Sequence, residues 1–63
     1  MFVIIDAELL DGGYQTMASG QMSQVPAVGD HVSLDGTAPY VVVYRRWIVR
    51  RNDMSALIRV RRP

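Results

Sequence analysis

The chain has no cysteine and no lysine, and it has a single histidine, a single phenylalanine and a single tryptophan. Without cysteine it has no disulfide framework and no thiolate metal site, and His31 is the one imidazole available as a ligand. No apolar run approaches the roughly 18 residues that a membrane-spanning helix needs. The opening run Phe2-Val3-Ile4-Ile5 stops at Asp6 with no basic residue before it, so it lacks the pattern of a secretory signal. These absences set the expectation of a cytoplasmic protein with no membrane contact, no cofactor and no metal. Its fold must hold by packing or by self-association.

What is present is 63 residues, 49% of them hydrophobic. That is too apolar for a disordered tail and long enough for one small domain spanning residues 1–63. A domain of about 60 residues buries only roughly 60% of the surface its unfolded chain exposes, so its stability margin is narrow and a monomer has little material for a deep catalytic cleft.

Residues 2–10 are mostly β-branched or large and apolar, and Asp11-Gly12-Gly13 follows with turn chemistry, which predicts a strand entering a hairpin. Val3, Ile5, Ala7 and Leu9 share the face expected to be core. Residues 14–18 return as the second arm, closed by Ser19-Gly20. Residues 21–30, with Pro26 and Gly29, read as a connecting loop. His31-Val32-Ser33-Leu34 alternates with period two, Asp35-Gly36 supplies a turn, and residues 40–49 form the longest β-prone stretch. In that stretch Tyr40 and Val42 fall on one face while Trp47 and Val49 fall on the other. Either both faces are partly buried, or a bulge near Tyr44-Arg45 switches them and bends the strand. Arg51-Asn52-Asp53 is a turn, and residues 56–61 make a last strand with Ala56, Ile58 and Val60 on one face. Five short strands and no 3.6-residue period predict an all-β, five-stranded, partly open barrel. Large aromatics dominate the burial of a small core, so Tyr40 and Trp47 are expected there.

The run Val25-Pro26-Ala27-Val28-Gly29-Asp30-His31-Val32-Ser33-Leu34-Asp35-Gly36, followed by Tyr40, Val42 and Trp47, resembles small SH3-like β-barrel proteins of bacteria and their phages. The resemblance implies the SH3-like fold and an origin in a phage or other mobile element, and it implies no activity. Gly29-Asp30-His31-Val32 is also similar to the opening of the barrel in the plasmid-borne type II dihydrofolate reductases. The V-Q-I-Y segment that builds their shared active site has no counterpart here, so reductase activity does not carry over.

Charge is uneven along the chain. Residues 1–35 hold five acids and no base, whereas residues 36–63 hold seven arginines and one acid, a balance of −5 against +6. If the last two strands form a hairpin, Arg45, Arg46, Arg50, Arg51, Arg59 and Arg61 come together beside Trp47 and Tyr44. Guanidinium forks take phosphate bidentately and aromatic rings stack on bases, so these residues are the candidate surface for a partner or a nucleic acid. The bland alternative is a solvated face whose arginines blunt an edge or pair with Asp6, Glu8 and Asp11. A sequence pI of about 8.3 falls short of a strongly basic nucleic-acid domain.

Asp30 beside His31 is a poor general-base pair because adjacent strand residues point to opposite faces. The serines have no second histidine and no lysine to activate them, and Asp6 with Glu8 supply too few oxygens for a divalent ion. The expectation is therefore a non-enzymatic interaction or accessory protein acting through its surface, self-associating with a dimer favoured, or binding another protein. A nucleic-acid-binding barrel using the arginine and aromatic face is the alternative.

Overall fold

A computed structural model describes residues 1–33, 36 and 38–63. Five strands form one sheet: β1 (Phe2–Glu8), β2 (Tyr14–Gln21), β3 (His31–Val32), β4 (Tyr40–Arg50) and β5 (Asp53–Arg61). Their order is β2-β1-β5-β4-β3, and the sheet curls into a half-barrel with no helix among the described residues. Strands β1 and β2 are antiparallel neighbours, as are β4 and β5, so both expected hairpins form. The hairpins join through β1 and β5, which run parallel with Val3 beside Ala56 and Ile5 beside Ile58. This chain-spanning seam makes β1 and β5 central and gives each a neighbour on both sides.

The inner face is built from period-two alternation on these central strands. Val3, Ile5 and Ala7 of β1 meet Ala56, Ile58 and Val60 of β5, and all six are buried together with Tyr40 and Val42 of β4. Met1, Ala18, Met22, Val25 and Val32 pack against this cluster, so the loop after β2 closes over the inner face. Two backbone links fasten that loop to β4: Gly29 N–H donates to the Val42 carbonyl and Val42 N–H donates to the Asp30 carbonyl, each at 2.9 Å. Gly29 sits at φ +96°, where an L side chain is strained, and the Asp30 carboxylate accepts the Ala27 N–H at 2.8 Å.

The β1–β2 turn follows the same chemistry. Gly12 takes φ +89°, Asp11 accepts the Gly13 N–H, and Leu9 and Gly13 close the loop with a 2.7 Å backbone bond. Strand β1 therefore ends at Glu8, and Leu9 and Leu10 are exposed turn residues instead of an extension of the core face. Strand β2 runs through Gly20, which pairs with Val3, so Ser19-Gly20 does not close it. Strand β5 begins at Asp53, earlier than the apolar pattern alone indicated, because β4 supplies partners all the way to the turn. The third strand holds only His31 and Val32 within the described residues, and the expected Leu34 end and Asp35 turn position lie outside them.

The face switch on β4 is real. The register against β5 slips between Val42 and Tyr44, so Val43 is the extra residue of a bulge. Before it, Tyr40 and Val42 point inward. After it, Arg45, Trp47 and Val49 lie opposite Ile58, Ala56 and Met54 and so share the inner face with them. The bulge falls just ahead of Tyr44-Arg45 and brings the two halves of β4 onto one face.

Candidate interaction surface

The bulge decides where each arginine goes. Cross-strand partners in an antiparallel ladder share a face. Arg45, opposite Ile58, is therefore on the inner side beside Trp47, with its guanidinium carbon 5.1 Å from the indole centroid. Arg46 lies opposite Leu57, Arg50 opposite Asp53, Tyr44 opposite Arg59 and Val41 opposite Arg61, so Arg46, Arg50, Arg59 and Arg61 occupy the outer face. Arg51 is in the hairpin turn. The six arginines are thus on neighbouring strands, but they are divided between the two sides of the sheet and the tip.

Trp47 corrects an expectation. It is 43% exposed, although its partner Ala56 is fully buried, because among the described residues no strand lies on the far side of β4 beyond the bulge to cover the ring. Tyr40, which does lie under β3, is 9% exposed and belongs to the core as expected.

On the outer face one row reads Thr16, Asp6, Arg59 and Tyr44 across β2, β1, β5 and β4. Arg59 lies between two rings, 4.4 Å from the Tyr14 centroid and 5.2 Å from that of Tyr44. Its Nε is buried without a hydrogen-bond partner, which the cation–π contacts offset in part. Asp6 accepts the Thr16 hydroxyl at 2.7 Å, and among the described residues no arginine lies within salt-bridge distance of a carboxylate. Among the described residues, the acids of the first half and the arginines of the second half form no ion pairs with one another.

The backbone offers a second kind of surface. Strand β3 and the loop before it reach β4 only at Tyr40, Val41 and Val42. From residue 43 to residue 50, nothing among the described residues pairs with β4 on the side away from β5. Alternate residues there present unpaired N–H and C=O groups along an edge that also carries Tyr44, Trp47, Ile48 and Val49. Strand β2 is the other edge, but a register shift opposite Ile5 and Asp6 leaves Met17 unpaired and breaks its line. Sequence reasoning missed the β4 edge, because alternation and turn residues show where strands are and not which of them lacks a neighbour.

At the end of the half-barrel away from Trp47, an open groove of about 580 Å³ is lined by Leu9, Leu10, Met17, Tyr40, Arg61 and Arg62, with Glu8 beside them. Among the described residues, no three of His, Asp and Glu come together as a metal site. His31 is exposed on β3, while the neighbouring Asp30 is committed to the Ala27 amide. No protein-family model, curated protein or solved structure matches this chain.

Proposed function

We propose that this half-barrel is of the SH3-like kind and that it is a non-enzymatic interaction protein whose first partner is a second copy of itself. The observation that carries the reading is the bare edge of β4 over residues 43–50, beside an exposed Trp47 and Val49. Arg45, Arg46 and Arg50 charge this edge, but Tyr44, Trp47 and Val49 stay exposed between them, and a long unpaired edge that exposes large apolar side chains is one that soluble proteins normally cover. Sedimentation equilibrium across a concentration series tests it. A reversible monomer–dimer equilibrium is the expected result, and a monomer at every concentration rejects it.

The outer-face row favours a second reading, in which single-stranded nucleic acid lies along Arg46, Arg59 and Arg61. Tyr14 and Tyr44 both contact the Arg59 guanidinium and both remain partly exposed, so aromatic surface for stacking lies beside the cation. Fluorescence anisotropy with labelled oligonucleotides, from low to physiological salt, separates the two. Binding whose salt slope shrinks in an Arg46→Gln/Arg59→Gln variant supports this second reading, and no binding at low salt retires it.

A further inference from the structure

The sequence of the β4 edge fixes how a second copy would pair with it. We infer that two chains join edge to edge along residues 44–50, antiparallel, about a two-fold axis passing through Trp47, to make one continuous sheet. This inference rests on the self-association reading above and adds the interface and its register.

The argument is one of elimination. Residues directly opposite in an antiparallel ladder share a face, so a two-fold axis normal to the sheet must pass through a residue and not between two. Centred on Arg46, the ladder sets that arginine against the partner's Arg46. Centred on Ile48, it sets Arg46 against the partner's Arg50. Centred on Arg45 or Arg50, each again faces its own copy. An axis at Val49 pairs only residues 48–50 before the hairpin turn at Arg51 and Asn52 intervenes. An axis at Tyr44 runs back into Val42, whose backbone is already taken by Gly29 and Asp30. Trp47 alone allows the whole of residues 44–50 to pair with no like charges opposed, and opposed like charges on neighbouring strands are destabilising.

In that register the contacts are complementary. On the inner face the two Trp47 rings meet at the axis and Arg45 lies opposite the partner's Val49. On the outer face Tyr44 lies opposite the partner's Arg50, a cation–π pair, and Arg46 lies opposite the partner's Ile48. The exposed Trp47 and Val49, at 43% and 72%, are the inner-face side chains this would cover. The two-fold also closes the assembly, since it consumes the one long unbroken edge that each copy shows among the described residues. Pairing of β4 with the partner's β2 would instead propagate into a filament, and the Met17 bulge on β2 works against it.

The test is a charge swap read by sedimentation and by emission from Trp47, the chain's only tryptophan. Val49→Lys places a cation opposite the partner's Arg45 twice in each dimer and is expected to weaken dimerisation roughly tenfold or more. Adding Arg45→Glu to Val49→Lys turns both contacts into opposite-charge pairs and is expected to restore the wild-type dissociation constant to within about threefold. Both positions are exposed, so circular dichroism and the melting temperature of the dilute monomer should stay near wild type. The Trp47 emission of the wild type should shift to shorter wavelength in step with dimer formation. A dimer indifferent to Val49→Lys, or one not rescued by the double variant, overturns this interface while leaving self-association standing. A wild type monomeric up to about a millimolar overturns both.

Discussion

Ile58 is the largest fully buried side chain among the described residues. It lies at the middle of β5 with Ile5 beside it on β1, its accessibility is 0%, and every element of the sheet except β3 has a residue in its row. Removing one methylene by Ile58→Val costs about 0.5–1.5 kcal/mol in a packed core. In a domain of this size each kcal/mol moves the melting temperature by about 4–8 °C, so a drop of roughly 2–12 °C follows. Ile58→Ala costs about 2–5 kcal/mol, against a total of about 3–9 kcal/mol at the usual 0.05–0.15 kcal/mol per residue. That variant should lose from about a fifth to all of the total stability, so its unfolding midpoint in urea should fall well below that of Ile58→Val. The assay is thermal and urea denaturation followed by far-ultraviolet circular dichroism at low micromolar protein, where mass action from dimer formation contributes least. Ile48→Val, on the half-buried outer face, is the control and should change stability by less than about 0.5 kcal/mol. Equal losses at Ile58 and Ile48 would refute the assignment of the inner face as the core.

Other perturbations test separate parts of the account. Gly12→Ala meets no atom within 4 Å but keeps a φ of +89°, so it should cost about 1 kcal/mol through backbone strain alone, read by urea titration. Asp30→Ala removes the acceptor of the Ala27 amide and should cost about 0.5–1.5 kcal/mol, with faster amide exchange at Gly29 and Val42. Arg59→Lys keeps the charge but loses the flat guanidinium between Tyr14 and Tyr44. It should cost about 0.5–1 kcal/mol, and combination with Tyr14→Leu should cost less than the sum of the two single changes.

The elements of the sheet were legible in the sequence because their signals are local. Alternation of Val3, Ile5 and Ala7, and of Ala56, Ile58 and Val60, marks the core faces directly, and Gly12-Gly13 marks the first hairpin. The mismatch between Tyr40, Val42 and Trp47, Val49 left open either partial burial of both faces or a bulge, and the register slip at Val43 decides for the bulge. Strand ends were less legible: Ser19-Gly20 has turn composition, yet Gly20 lies within β2 because Val3 pairs with it. The arginine surface was only half legible. Spacing puts Arg45 and Arg46 side by side, but the pleat sends one inward to Trp47 and the other outward. The parallel seam between β1 and β5 left no trace in local pattern, since it joins residues more than fifty positions apart. That seam is what leaves β4 with a bare side, and so the exposure of Trp47 depends on topology that no window of the sequence contains.

Amide hydrogen exchange resolved by residue along β4, at dilute and at concentrated protein, tests the central claim most directly. In the monomer, alternate amides between residues 43 and 50 face solvent and should exchange freely, while their neighbours bonded to β5 are protected. Raising the concentration should protect the free set in residues 44–50 and leave the edge amides of β2 unchanged. Protection appearing on β2 instead, or on neither edge while the protein dimerises, would contradict the account.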